Sequence, residues 1–187
     1  SGPSYDPNTI AQDWEALNAD STYSPLLNRV TQGAYAPGST FKIVTALEYM
    51  REHPADYKNY QFDCGGVYEN GEYRIKCYHG TAHGHQDFTQ AFANSCNGAF
   101  ASLGLELNPG GMKTLANQLL FNKELPLSLA YNKSSFVMGS EADTWEILQT
   151  SIGQGSTQIT PVHNAMLTAA IANGGVLMKP YLIDRVE

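Results

Sequence analysis

The amino-acid sequence predicts an α+β fold dominated by helices, with a single β-hairpin. Three observations carry this prediction. Apolar residues recur at one-face helical spacing along stretches free of Gly and Pro, most plainly at Met112, Leu115, Ala116, Leu119 and Leu120. Start and stop signals bracket such stretches: Asp87 with Gln90 three residues later, Asn108-Pro109, Thr160-Pro161 and Gly174-Gly175. Only Asn70-Gly71 carries a strong hairpin signal, and no series of sheet-forming runs accompanies it. With 187 residues, 42% of them hydrophobic, the chain suffices for one packed domain, taken as residues 1–187.

Taken in order, Ser4 to Asn8 is turn-rich, and Thr9 to Ala19 holds a short helix around Trp14 and Leu17. Leu26, Leu27 and Val30 mark a short amphipathic turn. Pro37-Gly38 then punctuates the entry to a helix running from Ser39 to Met50. Its residues Phe41, Ile43, Val44, Ala46, Leu47, Tyr49 and Met50 are apolar on nearly all sides, as in a helix buried in mid-domain. A polar connection, His53 to Asn59, leads to the hairpin. A helix with Phe88, Ala91 and Phe92 inward follows, broken at Asn94-Ser95-Cys96-Asn97-Gly98. Ala99 to Leu107 is a second apolar segment, and Asn108 caps the amphipathic helix after it. Phe121 to Ser140 has no clear pattern. Asp143 to Thr150 reads as a helix with Trp145 and Leu148 inward, ended by Ile152-Gly153-Gln154-Gly155. Val162 to Asn173 forms the last helix, and Val176 to Val186 is extended.

A net charge of -7 with no basic stripe argues against nucleic acid as a partner. No apolar stretch approaches the roughly 18 residues of a membrane span. No signal peptide is present, and Ser1-Gly2-Pro3-Ser4 fits a tag remnant or an interior start of a longer chain.

The cysteines are Cys64, Cys77 and Cys96. A two-residue turn at Asn70-Gly71 sets Glu69 opposite Glu72, Tyr68 opposite Tyr73, and Cys64 opposite Cys77 at a non-hydrogen-bonded pair, where side chains lie closest. A Cys64–Cys77 disulfide and a pair of free thiols both fit that spacing. A disulfide would argue for an extracytoplasmic site. His79, His83 and His85 follow, but their spacing with the cysteines matches no familiar zinc pattern, so no metal is expected.

The chemistry centres on Ser39 and Lys42. Residues three apart on a helix are neighbours, so the hydroxyl and the amine can meet. A serine needs a base to become a nucleophile. Burial and the positive end of a helix dipole both lower a lysine pKa toward that role. Some fifty residues on comes Ser95-Cys96-Asn97. The sequence S-x-x-K followed by S-x-N is the motif pair of penicillin-binding proteins and serine β-lactamases.

Other stretches extend the likeness: Tyr5-Asp6-Pro7-Asn8, Leu27-Asn28-Arg29, Tyr35-Ala36-Pro37-Gly38 before the serine, His83-Gly84, Ile152-Gly153-Gln154-Gly155 with Thr160-Pro161, and Ala172-Asn173-Gly174-Gly175. Together they resemble the transpeptidase domain of high-molecular-mass penicillin-binding proteins, over nearly the whole chain. Cys at the middle of the second motif fits those transpeptidases better than the Asp usual in class A β-lactamases.

The resemblance implies a peptidoglycan D,D-transpeptidase, acting on D-Ala-D-Ala stem peptides through an acyl-serine and acylated by β-lactam antibiotics. It needs no cofactor. Ser39 would be the nucleophile, Lys42 its base, Ser95 the proton relay, and Asn97 a substrate-binding residue that also holds the Lys42 amine. The Ser39 backbone N–H would supply an oxyanion donor. His83 reads as structural. The family is extracytoplasmic, anchored in the bacterial cell membrane by an N-terminal helix, and works with cell-wall synthesis partners.

The sequence departs from the family at its third motif. It has no Lys-Thr-Gly or Lys-Ser-Gly; Lys113-Thr114 is followed by Leu115 on an amphipathic helix. The expectation is therefore the helical part of the penicillin-binding/β-lactamase-like transpeptidase fold, with most of the central antiparallel sheet absent. A fragment without that motif is expected to be weakly active or inactive, and to self-associate through uncovered apolar surface. Alternatives are a β-lactam sensor domain, a serine β-lactamase, or a non-catalytic helical module. Nitrocefin turnover identifies the lactamase, and acylation at Ser39 separates the enzymes from the helical module.

Overall fold

The computed structural model describes residues 4–183. Within the stretch expected to form one domain, the chain divides into two compact units. The smaller comprises Ser1–Ala34, Pro126–Asn132 and Thr160–Glu187. It holds helices α1 (Ile10–Ala19) and α7 (Pro161–Ala172). Thr160 caps α7 by accepting from the His163 amide, and Gly174 and Gly175, both at positive φ, end it as the sequence predicts. Trp14 of α1 is exposed. Residues 176–183 form no strand, and Val186 lies outside the described residues.

The larger unit comprises Tyr35–Leu125 and Lys133–Ile159. Its elements are a 3-10 turn, Gly38–Phe41, running directly into α2 (Lys42–Glu52), strands β1 (Gln61–Cys64), β2 (Val67–Asn70), β3 (Tyr73–Lys76) and β4 (Gly84–Asp87), then α3 (Phe88–Ala93), α4 (Asn97–Glu106), α5 (Pro109–Gln118) and α6 (Thr144–Ser151). The core sits around α4. Ala99, Phe100, Ala101 and Leu103 are fully buried. Full burial of Phe100 and Leu103 stabilises by about 1.5–3 kcal/mol each. Gly104 lets α6 approach: a Cβ there would lie 1.9 Å from Ser151 Oγ. The central position expected for the Ser39–Met50 segment is thus shared with α4, and α2 also buries polar Lys42, Thr45 and Glu48. The patternless stretch after α5 contributes Phe121, Phe136 and Met138 to the core, and both phenylalanines pack on Phe41. Their spacing has no period because no regular element carries them.

Two further expectations are corrected. Trp145 is 42% exposed and stacks on Tyr73, while Leu148 is buried as expected. The hairpin register is also shifted: Asn70 pairs with Tyr73, Glu69 with Arg74, Tyr68 with Ile75 and Val67 with Lys76. The loop is Gly71-Glu72, with Gly71 at φ 59. Gly at the first loop position takes the left-handed backbone alone, so Asn70 remains in its strand. The hairpin stops at Val67, where Gly66 turns the chain at φ 90. Cys64 is therefore not opposite Cys77 but pairs with Gly84, in a second ladder of β1 with β4. That ladder was illegible because Gly-His-Gln-Asp has no strand-like alternation. Both cysteines are free thiols in the structure.

Candidate active site

Two close backbone approaches set the nucleophile turn. The Gly38 amide donates to the Gly153 carbonyl at 2.8 Å. Gly153 sits at φ 75, and a Cβ on it would fall 1.9 Å from the Gly38 carbonyl oxygen. Glycine at 153 is thus required both by its backbone conformation and by the space. Ser39 follows Gly38 on the exposed face of the 3-10 turn, and Phe41 anchors the other face in the core.

Lys42 opens α2 and is only 2% exposed. Its Nζ lies 3.3 Å from Ser39 Oγ, 3.0 Å from Ser95 Oγ, 2.6 Å from the Ser95 carbonyl oxygen and 2.6 Å from Asn97 Oδ1. The Phe100 ring lies beneath it, 5.7 Å from Nζ to centroid. All four residues named from the sequence therefore converge on one amine. Burial lowers the Lys42 pKa to about 8, against an opposing pull from Cys96 and Cys77.

The hydrogen-bond inventory shows what the amine can do. A neutral amine has two N–H donors and one lone pair; an ammonium has three donors and none. The Ser95 and Asn97 carbonyl oxygens can only accept, so they fix two N–H bonds. The remaining position faces the two hydroxyls, Ser39 Oγ and Ser95 Oγ. In the neutral state a lone pair there can take the Ser39 proton, and in the charged state that proton can pass to Ser95.

The second motif is shaped by its loop. α3 ends at Ala93, and the Ser95 and Cys96 amides donate to the Phe92 and Ala91 carbonyls. Ser95 takes φ 50, a left-handed backbone that costs a non-glycine residue about 1–2 kcal/mol. This turn aims both the carbonyl and the hydroxyl of Ser95 at Lys42. Asn97 opens α4 and donates from Nδ2 to the Lys76 carbonyl at 2.8 Å, which orients its oxygen toward Lys42. The end of β3 thus sets the Asn97 amide, a link that sequence spacing gave no signal for. An open cleft of about 630 Å³ leads to the serines, lined by Ser39, Ser95, Asn97, Lys76, Arg74 and Gln154 among others.

His83 also borders this cleft, and its Nδ1 lies 3.4 Å from Cys64 Sγ. His85 instead faces Asp63 at 2.8 Å on the exposed strand pair. Cys64 Sγ is 3.6 Å from Cys77 Sγ, and Cys77 Sγ is 3.7 Å from Cys96 Sγ. Spacing along the chain matches no metal pattern, yet the fold gathers Cys64, Cys77, His83 and Cys96 into one cluster, their ligand atoms within 4.8 Å of one another.

The family model of the penicillin binding protein transpeptidase domain matches residues 1–187. The chain is 32% identical to the peptidoglycan D,D-transpeptidase PbpA of Mycobacterium tuberculosis, over 100% of this chain and 40% of that protein. It is 28% identical to the peptidoglycan D,D-transpeptidase MrdA of Acinetobacter baumannii, covering 29% of it. It thus spans well under half of these relatives. Among solved structures, the D,D-transpeptidase domain of a peptidoglycan glycosyltransferase from Eggerthella lenta superposes with a TM-score of 0.88 at 31% identity, over 98% of this chain and 48% of that one. The ceftriaxone acyl-enzyme complex of M. tuberculosis penicillin-binding protein A gives 0.84 at 32% identity, over 97% and 43%.

Proposed function

The chain belongs to the penicillin-binding protein transpeptidase domain family, and from that premise we propose that it carries the acylation centre of a peptidoglycan D,D-transpeptidase. The substrates are the D-Ala-D-Ala ends of stem peptides, and β-lactams are their mimics. One observation carries the reading: the buried Lys42 amine, tied by two carbonyl acceptors, presents its remaining position to Ser39 and Ser95.

Ser39 Oγ attacks the carbonyl of the penultimate D-Ala while its proton passes to Lys42 Nζ. The tetrahedral oxyanion meets the Ser39 backbone N–H at the start of the 3-10 turn. Lys42 returns a proton through Ser95 Oγ to the leaving nitrogen, the C–N bond breaks, and terminal D-Ala departs. An amine of a second stem then attacks the acyl-serine, loses a proton by the reverse route, and restores Ser39. Asn97 holds Lys42 in register and offers its amide to the substrate backbone. Lys76 places positive charge on the cleft wall, suited to an anionic stem, beside Arg74, which is paired with Glu69 at 3.0 Å. A place on the extracytoplasmic face of the membrane belongs to the same reading; no helix among the described residues is long and apolar enough to cross a membrane.

The test is incubation of the whole protein with penicillin G, followed by intact-mass and peptide-mapping analysis. The expected result is one adduct per chain on the peptide containing Ser39, lost in Ser39→Ala. No adduct, or an adduct on another residue, would sink the reading.

A further inference from the structure

The hairpin leaves one backbone edge open, and that edge borders the cleft. We propose that the outer edge of β3 docks the acceptor stem, the peptide whose amine takes up the acyl group, and holds it extended as one added strand. This deepens the transpeptidase reading above and rests on it.

Register fixes which groups are open. Along an antiparallel strand, successive residues turn their N–H and C=O alternately toward the partner strand and away from it. The Cys77 amide donates to the Gly66 carbonyl at 3.0 Å, so Cys77 faces the β2 side. Lys76 therefore faces away, and so does Arg74 two residues earlier. The Lys76 carbonyl shows that direction directly, since it leaves the hairpin to accept from Asn97 Nδ2 at 2.8 Å. The sheet has two strands only, and among the described residues nothing bonds the Arg74 N–H, the Arg74 C=O or the Lys76 N–H. An extended peptide supplies the matching acceptors and donor.

Chemistry selects the occupant. Arg74, Ile75 and Lys76 line the same cleft as Ser39, Ser95 and Asn97. The acceptor amine must stand where the leaving nitrogen stood, because Ser95 Oγ serves both, in opposite directions. Ser95 lies two residues before Asn97, whose amide is bonded to the end of β3. A peptide with its amine at Ser95 meets that end of the strand next. In the transfer the amine nitrogen bonds to the acyl carbon and the ester bond to Ser39 Oγ breaks. The amine proton returns through Ser95 and Lys42 to Ser39 Oγ. The edge makes none of these bonds; it positions the amine.

An open edge also attracts a second copy of its own chain. Here antiparallel pairing of two β3 edges would bring the exposed Arg74 and Lys76 of one copy against those of the other, and opposed like charges destabilise a strand pair. A peptide ending in a carboxylate meets the same charges favourably.

The experiment is amide hydrogen exchange of the whole protein, read residue by residue by NMR, with two probes. N-acetyl-Lys-D-Ala has a free side-chain amine and no D-Ala-D-Ala bond. Diacetyl-Lys-D-Ala-D-Ala has that bond and no amine. At saturation the first probe should slow exchange at Arg74 and Lys76 by roughly fivefold or more, and leave Tyr73 and Ile75, whose amides face β2, unchanged. A second measurement follows acyl transfer from the diacetyl probe to the amine probe, as product formed per D-Ala released. Arg74→Pro removes an outward N–H without breaking a hairpin hydrogen bond, whereas Arg74→Ala removes the side chain alone. That ratio should be lower in the proline variant than in the alanine variant by roughly tenfold or more. Should the proline variant misfold, exchange in the unaltered chain decides. Unchanged exchange at Arg74 and Lys76 with the amine probe would overturn the proposal. So would protection by the diacetyl probe alone, which gives the edge to the donor, or protection that grows with protein concentration and no probe, which gives it to a second copy. Equal ratios in two folded variants would overturn it as well. Penicillin G adduct formation is followed in the same samples. Its absence removes the serine reading and leaves any protection standing as a peptide site, whereas an adduct without protection removes the edge alone.

Discussion

Lys42 reaches Ser39 across one helical turn, and it reaches Ser95 and Asn97 across more than fifty residues of chain. The two sides of this amine are built differently. The Ser39 side is local: positions three apart meet on a helical turn whatever surrounds them. The Ser95–Asn97 side exists only because α3 stops short, Ser95 turns left-handed, and the end of β3 fixes the Asn97 amide. The near side supplies the reacting pair. The far side decides whether that lysine holds a usable lone pair, because its two carbonyls consume the other N–H groups.

The sharpest way to break this comparison is to remove the amine that joins both sides. Lys42→Met keeps an unbranched chain in the buried slot and deletes the base. Acylation of Ser39 by penicillin G in the whole protein should slow by about 10²–10⁴-fold, while secondary structure by circular dichroism stays unchanged. A rate within a few-fold of the parent would move the base elsewhere.

The same amine predicts a pH profile. Its pKa is lowered to about 8, from 10.5. Only the neutral form accepts the Ser39 proton, so lowering the pKa makes that form available nearer neutrality. The acylation rate should climb roughly tenfold per pH unit below about 8 and level off above it. The limb should vanish in Lys42→Met. A flat profile from pH 6 to 9 would mean that another group sets the rate.

Asn97→Ala isolates the far side. It removes one carbonyl acceptor from Lys42 and cuts the link to the Lys76 carbonyl, leaving Ser39 and its turn intact. An unsatisfied buried donor costs about 1–3 kcal/mol, so acylation should fall by about 10–100-fold. The loss should be smaller than that of Lys42→Met, because the base survives.

The legible part of the molecule follows the same divide. Ser39 with Lys42, the Asp87–Gln90 capping box and the Asn108-Pro109 start of α5 all depend on residues within one turn, and each stands where the sequence places it. Ser95 and Asn97 were found by motif, since nothing local aims them at Lys42. The hairpin shows the limit. Asn70-Gly71 signals a turn, but whether one or both residues enter the loop decides every pair outward, and that choice placed Cys64 against Gly84 rather than Cys77. The β1–β4 ladder and the Cys–His cluster need strands that read as loops. Trp145 shows the helical counterpart: spacing marks it as inward, yet it stays on the surface because Tyr73 offers a ring to stack on.

The smallest expected effect tests how rigidly the near side is held, through two glycines two residues apart. Gly153 and Gly155 both have left-handed backbones, at φ 75 and φ 77, so an alanine at either costs about 1–2 kcal/mol from conformation alone. They differ in surroundings. A Cβ at 153 would strike the Gly38 carbonyl oxygen at 1.9 Å, whereas at 155 its nearest neighbour is Gln149 Cβ at 3.5 Å, an ordinary contact. Gly153→Ala must therefore push the Ser39 turn, and Gly155→Ala need not. Both should lower Tm, by about 2–4 °C for each kcal/mol lost. Only Gly153→Ala should fall further and also slow acylation, because displacing Gly38 carries Ser39 away from Lys42. Equal losses at the two positions would mean that the turn yields freely, and that the serine–lysine distance is held by α2 alone.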